Sequence, residues 1–281
     1  MKNTIKIIGV ILAVTAISVI IWFFTLSMRE EESSSIERTQ LSRKTTGDDT
    51  ILVADDHAEW PPYLLADSTA PDGVAGASVV LLRKVLESRG YSVKIDRFPW
   101  ARALHLVATG SFHILNNASS NPERMRTYYR SNPIYQISHA FFYRKERFPN
   151  GLPITTQEDV DDFYVGGMRS YNFGLYKFDI DKIHQVDSVD ALFGLIGADR
   201  VDFVIGYPEI YHSLEKQGKI SLAGIETAKI PDTSPLIFYV WVSRTIDNPE
   251  GLLEDINAGL QEFEANGNKR KIFTGYGLFE Q

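Results

Sequence analysis

The sequence predicts an α/β fold with a largely parallel sheet for the part of the chain that begins at Thr50. Short apolar runs alternate there with amphipathic stretches that have the 3.6-residue period of a helix. The connections between these elements are short, which favours right-handed βαβ units and therefore parallel strands. With 281 residues, of which 44% are hydrophobic, the chain is long enough for one or two domains.

The first predicted elements follow Thr50 directly. Residues 51–54 (Ile-Leu-Val-Ala) form an apolar run that is typical of a buried strand. Residues 76–90 have the pattern of an amphipathic helix with a glycine at each end. Residues 91–95 alternate apolar and polar side chains, which predicts a second strand.

Residues 98–135 contain the most informative local pattern. An apolar-periodic run that starts at Trp100 is stopped by Gly110, which predicts a short helix with a glycine C-cap. A brief apolar strand then leads into a polar loop at residues 116–121. Asn121 ends that loop and is a suitable N-cap for the helix that follows.

Arg124 lies in the first turn of this next helix, behind Pro122, which suits the first helical position. The loop before it offers hydroxyls, amides and backbone N–H groups, and the guanidinium adds bidentate geometry that suits a carboxylate. A solvated surface arginine has the same local pattern, so the residues alone leave both interpretations open.

A second α/β set follows residue 162. The predicted elements are a strand at residues 163–165 with a glycine-flanked turn after it, a helix at 188–196 with Ser188 as its cap, a strand at 201–206, an apolar run at 237–242 and an amphipathic helix at 249–266.

Composition excludes several classes of function. The formal net charge of −7, without a block of basic residues, argues against binding to nucleic acid. The chain has no cysteine, which excludes disulfides, thiolate metal sites, a cysteine nucleophile and a lipoprotein acylation site.

Residues 1–27 have the pattern of a transmembrane anchor. Lys2 and Lys6 precede an uncharged run at residues 7–26 that as a helix would span about 30 Å, the thickness of a bilayer core. The lysines place the N-terminus in the cytoplasm. A cleaved signal peptide usually has a shorter apolar region that ends in small residues, whereas bulky residues 22–24 (Trp-Phe-Phe) stand here. The pattern therefore favours an uncleaved anchor over a signal peptide, and either would export the domain that follows.

Residues 28–49 predict a flexible linker, because they contain few apolar residues, many charges and no periodicity. A disordered segment of this length would span about 25 Å. It would keep the following domain near the membrane.

The part of the chain after the linker resembles the type II periplasmic solute-binding proteins of family 3, the branch that includes the polar amino-acid-binding proteins of ABC importers. The resemblance extends over about residues 50–281. It rests on an aromatic residue, a helix that ends in glycine, a Ser/Thr-rich loop, a T-x-x-R-like turn and an S-x-P-Y segment. In this chain those features are Trp100, Gly110, residues 119–121, Arg124 and residues 131–135.

The resemblance implies a two-lobed clamshell with a hinge of two crossing strands, preceded here by the N-terminal helix. It assigns residues 50–142 and 235–281 to lobe one and residues 143–234 to lobe two. A small-molecule ligand would lie between the lobes, which would close around it. We expect a monomer without a cofactor in the periplasm, anchored to the inner membrane.

The same resemblance implies ligand contacts in lobe one. Trp60 and Trp100 match aromatic residues that contact the ligand, although both would also suit a packed core. Arg124 matches the arginine that binds an α-carboxylate, and Ser119 matches a loop residue that hydrogen-bonds the same group. Arg102 is a further candidate for a ligand-facing charge, with a solvated helix face as the alternative.

In lobe two, Ser170 and Tyr171 fall at a turn that would offer backbone N–H groups and a hydroxyl to the carboxylate. Tyr207 stands where amino-acid-binding members usually carry an aspartate that pairs with the ligand's ammonium. A tyrosine cannot neutralise an ammonium, and an unpaired buried charge costs several kcal/mol. Either the ligand lacks an α-ammonium, or Glu209 or Asp56 supplies the countercharge.

We therefore expect the protein to bind a small carboxylated solute, amino-acid-like or an organic acid, and to deliver it to an ABC importer. The alternative is a membrane-tethered sensor that reports ligand occupancy to a signalling partner. A dehydratase-like enzyme on the same fold is a third interpretation. The six histidines lack metal-binding spacing, and the chain has no G-x-S-x-G elbow and no P-loop, so we expect no catalytic activity.

We expect residues 1–27 to be retained in the exported protein, because residues 22–24 offer no small-residue cleavage site. Mass spectrometry of the intact protein from the membrane fraction should give the mass of the full chain, 31.7 kDa. A mature N-terminus near Met28 would contradict this prediction.

Overall fold

The computed structural model describes residues 50–169, 171 and 173–278. The strands in this part of the chain are β1 (Thr50–Asp56), β2 (Leu65–Ala66), β3 (Val74–Ala75), β4 (Ser92–Phe98), β5 (Ile114–Ser119), β6 (Tyr128–Ile137), β7 (Ala140–Arg144), β8 (Val165–Met168), β9 (His184–Val186), β10 (Phe203–Gly206), β11 (Ile225–Lys229) and β12 (Leu236–Ser243). The α-helices are α1 (Ala77–Ser88), α2 (Trp100–Ala108), α3 (Pro122–Thr127), α4 (Val189–Gly197), α5 (Pro208–Lys216), α6 (Pro249–Ala265) and α7 (Asn268–Gly275).

Two five-stranded sheets organise these elements. The first has the strand order β4-β1-β5-β12-β6 and the second has the order β11-β7-β10-β8-β9. In the first sheet β1 and β5 are parallel, whereas β12 runs antiparallel to β5 and to β6. In the second, β8 is parallel to β9 and β10, whereas β7 is antiparallel to β10 and β11.

The prediction of an α/β fold is confirmed, but the prediction of a largely parallel sheet is wrong because both sheets are mixed. Strands β7 and β12 are the reason. Each arrives from the other sheet instead of through a βαβ crossover, and each therefore enters between strands that run in the opposite direction.

The chain passes between the sheets twice, at residues 138–139 and at residues 230–235. The predicted lobe boundary after residue 142 falls inside β7, whose residues pair with β10 and β11 in the second sheet. The second predicted boundary, at residue 235, is adjacent to the start of β12.

Helix α1 shows how the predicted amphipathic pattern is used. Val79, Leu82, Val85 and Leu86 are all buried against the first sheet and α6. A Cβ at Gly259 of α6 would lie 2.6 Å from the side chain of Val85, so a glycine allows these two helices to pack closely.

The polar loop predicted at residues 116–121 is wrong over its first four residues. Asn116 to Ser119 continue β5, because β12 pairs with this segment at Ala118 and Ser119. The prediction of Asn121 as an N-cap is confirmed, since its side-chain oxygen accepts a hydrogen bond from the backbone N–H of Arg124 at 2.8 Å.

The predicted anchor at residues 1–27 and the predicted linker at residues 28–49 lie outside the described residues. Within the part that is described, no helix combines the length and the apolar character needed to span a bilayer.

Gly76, at the start of α1, has a φ of +117°. A Cβ built there would lie 2.2 Å from the carbonyl oxygen of Tyr63, a backbone atom that cannot move aside. The substitution Gly76→Ala should therefore lower the free energy of unfolding by about 2 kcal/mol or more. Gly73→Ala is the control, because Gly73 also has a positive φ (+70°) but has open space around it, and should cost about 1 kcal/mol. Equal losses in urea denaturation would show that the contact with Tyr63 is not what requires glycine.

Candidate ligand-binding site

A cleft of about 340 Å³ lies where elements of the two sheets meet. One wall comes from the β1–β2 connection, the end of β5, α3 and β12, and the other from β8, α4 and α5. The residues that line it are Asp55, Asp56, Ala58, Glu59, Trp60, Pro61, Leu64, Trp100, Asn117, Ala118, Ser119, Asn121, Arg124, Met168, Tyr171, Val189, Tyr207, Ile210, Leu214, Leu236 and Phe238.

Arg124 is held in the cleft wall by its neighbours on the chain. Asn121 caps α3 and fixes the backbone of its first turn. The Nη1 atom of Arg124 donates to the carbonyl oxygen of Ser119 at 2.7 Å and to its Oγ at 3.3 Å. The guanidinium also lies over the ring of Trp100, with Cζ 5.3 Å from the centroid. These contacts orient the guanidinium and leave some of its N–H donors unused.

The charge of Arg124 has no carboxylate partner within an ion-pair distance among the residues that the structure describes. Its Nε is buried and makes no hydrogen bond. Burial lowers the pKa of the guanidinium, while nearby Tyr128 and Glu123 act in the opposite direction. Because an arginine pKa starts above 12, the group stays charged. The cleft therefore contains an oriented cation with donors to spare.

The ring of Trp60 bridges the two walls. It contacts Phe238 of the first sheet at a centroid distance of 5.9 Å. It also contacts Tyr207 at 5.4 Å and Tyr171 at 6.1 Å, both from the second wall and both in edge-on orientations. Such ring pairs contribute about 0.5–1.5 kcal/mol beyond the area they bury.

Tyr207 follows β10 directly and precedes α5. Its side chain is only 1% exposed, and its ring lies 4.5 Å from that of Tyr171. Burial raises the pKa of both phenols well above their usual value. The hydroxyls of Tyr171 and Tyr211 lie 3.1 Å apart. This side of the cleft is thus aromatic and uncharged at neutral pH.

Asp55 is a functional candidate that the sequence analysis missed. It is fully buried at the cleft floor and accepts hydrogen bonds from the backbone N–H of Asp56 (2.9 Å) and the side-chain amides of Asn117 (2.8 Å) and Asn116 (3.1 Å). Burial raises its pKa to about 7, although these hydrogen bonds oppose the rise. The sequence signal for Asp55 is its position directly after the apolar run at residues 51–54. An acidic residue next to a buried strand is more buried than an acidic residue in a loop.

The amide of Asn117 links this carboxyl to the rest of the floor. Its Oδ1 accepts from the Oγ of Ser78 at 2.6 Å and from the hydroxyl of Tyr135 at 3.0 Å. Its backbone has a φ of +55°, a conformation that asparagine tolerates better than most residues. The ring of Tyr135 is in turn stacked between Tyr63 and Phe238, with centroid distances of 3.8 and 4.7 Å.

Asp56 and Glu209, the two acidic residues that could pair with an ammonium group of the ligand, lie in different places. Asp56 lines the cleft, where its Oδ1 accepts from the backbone N–H of Ala58 at 3.1 Å and lies 3.2 Å from His57 Nδ1. Glu209 is absent from the lining; its Oε1 accepts from the backbone N–H of Ser138 at 2.9 Å, and its buried Oε2 has no hydrogen-bond partner in the described chain. Arg102 is also absent from the lining, and its guanidinium lies over Phe98.

Glu59 forms an ion pair with Lys219 that joins the first wall to the chain just beyond α5. Its other oxygen accepts from the backbone N–H of Ala66 at 2.9 Å. Burial alone would raise the pKa of Glu59, but the hydrogen bonds from Lys219 and Ala66 outweigh it and lower the pKa. Glu59 is therefore ionised and already paired.

Residues 52–279 match the family model of the bacterial extracellular solute-binding proteins, family 3. The chain belongs to this family. The matched range contains both sheets, apart from the first two residues of β1, and every residue that lines the cleft. Among curated proteins, none matches the chain significantly.

Several solved structures share the fold at low sequence identity. An ancestral arginine-binding protein bound to glutamine is 19% identical, with a TM-score of 0.62 over 84% of this chain and 100% of that one. A substrate-binding protein of an ABC uptake transporter from Streptococcus pneumoniae, with bound histidine, is 18% identical, with a TM-score of 0.64 over 83% and 93% of the two chains. A histidine kinase sensor domain similar to periplasmic binding proteins is 19% identical, with a TM-score of 0.64 over 81% and 95%. These likenesses establish the two-domain periplasmic-binding-protein fold.

The cleft brings together most of the residues that the sequence analysis selected. Ser170 lies outside the described residues. The others line the cleft, and their roles in binding stay predictions: Trp60, Trp100, Ser119, Arg124, Tyr171 and Tyr207.

The raised pKa of Asp55 predicts a specific pH dependence. A carboxyl whose pKa is higher in the folded state stabilises the fold fully below its unfolded pKa, near 4, and this contribution is lost as pH rises through 7. Asp55→Asn removes that titration. Between pH 4 and pH 8 the stability of the variant relative to the native protein should therefore rise by roughly 2–4 kcal/mol. Urea denaturation at several pH values measures this difference, and a constant difference would contradict the assignment.

Proposed function

We propose that the protein binds a small carboxylated solute, amino-acid-like or an organic acid, in this cleft and delivers it to an ABC importer. The observation that carries the proposal is Arg124, an oriented guanidinium in the cleft wall without a carboxylate partner among the described residues. A carboxylate ligand would use its free donors in a bidentate arrangement. Ser119 Oγ and the face of Trp100 lie beside the guanidinium.

The two sheets correspond to two lobes that we propose rotate about the segments at residues 138–139 and 230–235. Contacts across the cleft support a closed arrangement: Trp60 against Tyr171 and Tyr207, and Glu59 against Lys219. Closure would exclude water from Arg124, which would strengthen its attraction for a carboxylate.

We further propose that the domain works as a monomer on the outer face of the cytoplasmic membrane, held there by residues 1–27 through the linker at 28–49. Membership of an extracellular solute-binding family supports the location. The similar transporter protein from Streptococcus pneumoniae supports an ABC permease as the partner.

A sensor is the second candidate, and it is favoured by the similar histidine kinase sensor domain together with the predicted uncleaved anchor. Uptake of radiolabelled ligand by cells that lack this protein separates the two functions. Loss of uptake supports transport, whereas normal uptake with an altered transcriptional response to the ligand supports sensing.

The test of ligand binding uses Arg124→Ala on the full-length protein in detergent. A thermal-shift screen of amino acids and organic acids identifies a carboxylate that stabilises the native protein. Calorimetry should then show that the substitution weakens binding of this compound by at least about 2 kcal/mol, because its carboxylate loses a charged partner.

Arg126→Ala is the matched control, since Arg126 lies on the same helix and its side chain is exposed. It should leave the affinity unchanged. Equal affinities for the native protein and Arg124→Ala, with both folded, would remove Arg124 from the site and with it the proposed function.

A further inference from the structure

The charged side chains that line the cleft differ in how many groups of the protein already pair with them. Asp55, Asp56 and Glu59 are its acidic residues, and Arg124 is its only basic residue among those described. Glu59 pairs with Lys219 and the Ala66 N–H. Asp55 accepts three hydrogen bonds from within the protein. The carboxylate of Asp56 accepts from the Ala58 N–H and lies beside His57.

Arg124 differs from these three acids, because its Nε has no partner and no carboxylate pairs with it in the described chain. Its contacts are to Ser119 and the face of Trp100, neither of which carries a charge. A ligand that supplies one negative charge would therefore pair with Arg124. An additional positive charge on the ligand would find Asp55 and Glu59 already engaged, and of the three acids only Asp56 keeps a carboxylate oxygen, Oδ2, without a hydrogen-bond partner in the described chain.

The wall opposite Arg124 is apolar and closely packed. Tyr207 is buried at 1% exposure and touches both Trp60 and Tyr171. Aliphatic side chains of Val189 and Ile210 continue this wall. An ammonium in this region would lose its hydration without gaining a countercharge, which lowers the affinity by about a hundredfold or more, whereas cation–π contacts with the rings would return a factor of only about 2 to 30. An aromatic or aliphatic body would instead bury apolar surface there.

We propose that the preferred ligand is a monocarboxylate on an aromatic or aliphatic body, without an ammonium group beside the carboxylate. This inference rests on the proposed function and narrows its ligand class. The carboxylate binds Arg124, and the body lies against the wall that contains Trp60, Tyr171 and Tyr207.

A series of three compounds with one phenyl body tests the inference on the full-length protein in detergent. 3-Phenylpropionate carries the carboxylate alone, L-phenylalanine carries carboxylate and ammonium, and phenethylamine carries the ammonium alone. Calorimetry should show binding of 3-phenylpropionate, binding of L-phenylalanine that is about tenfold weaker or more, and no heat with phenethylamine. L-Phenylalanine binding as tightly as 3-phenylpropionate, or no binding of 3-phenylpropionate, would overturn it.

Tyr207→Asp tests which residue sets the preference. The new carboxylate should raise the affinity for L-phenylalanine relative to 3-phenylpropionate by about tenfold or more. Tyr164→Asp is the charge-matched control, because Tyr164 is exposed and lies outside the cleft lining, and it should keep the native order. If Tyr207→Asp does not fold, as judged by its thermal unfolding, the order measured on the native protein and on Tyr164→Asp decides the matter.

Two further results separate this inference from the proposed function. If arginine, glutamine or histidine binds tightly and Arg124→Ala abolishes that binding, the function stands and the ligand class proposed here is wrong. In that case Asp56→Asn should weaken the same amino acid, because Asp56 would be its countercharge. If no carboxylate in the screen binds, the proposed function itself fails.

Discussion

The site depends on a guanidinium that is partly buried without a carboxylate partner in the described chain. Removing a charge from water is costly unless something replaces its hydration. In this protein the replacement is incomplete: Arg124 reaches the carbonyl and hydroxyl of Ser119 and the face of Trp100, and its Nε reaches nothing. Folding therefore holds the guanidinium in place with hydrogen-bond donors unused, which is what the carboxylate binding that we propose requires.

The carboxyl group of Asp55 is in the reverse situation, because donors of the protein surround it. Asp55 lies deeper than Arg124, and three donors from the protein surround it. Through Asn117 it connects to Ser78 and to the stacked rings around Tyr135. It therefore orders the floor of the cleft. Asp55 and Arg124 therefore differ in role, because hydrogen bonds from the protein satisfy the carboxyl group of Asp55 but not the whole guanidinium of Arg124.

The sequence predicted the elements whose signals are local. The cap at Asn121, the amphipathic face of α1 and the cap at Ser188, whose Oγ accepts from the Ala191 N–H at 3.2 Å, depend on residues a few positions apart. Six of the predicted site residues lie together in the cleft, but family resemblance and not local pattern suggested most of them. What the residues alone could not reveal depends on distant pairing. The extension of β5 needs β12, about 120 residues further on, and the burial of Asp55 needs amides from β5.

The two links between the sheets differ in length, and this limits how the halves can move. Only Ser138 and His139 separate β6 from β7, so three Cα–Cα steps, about 11 Å at full stretch, join the two sheets there. Residues 230–235 form a longer link. The short link keeps the ends of β6 and β7 within this distance of each other. The opening that we propose would therefore be a rotation about the two links and not a separation of the two halves, and the residence time of a ligand would depend on the free energy of that rotation.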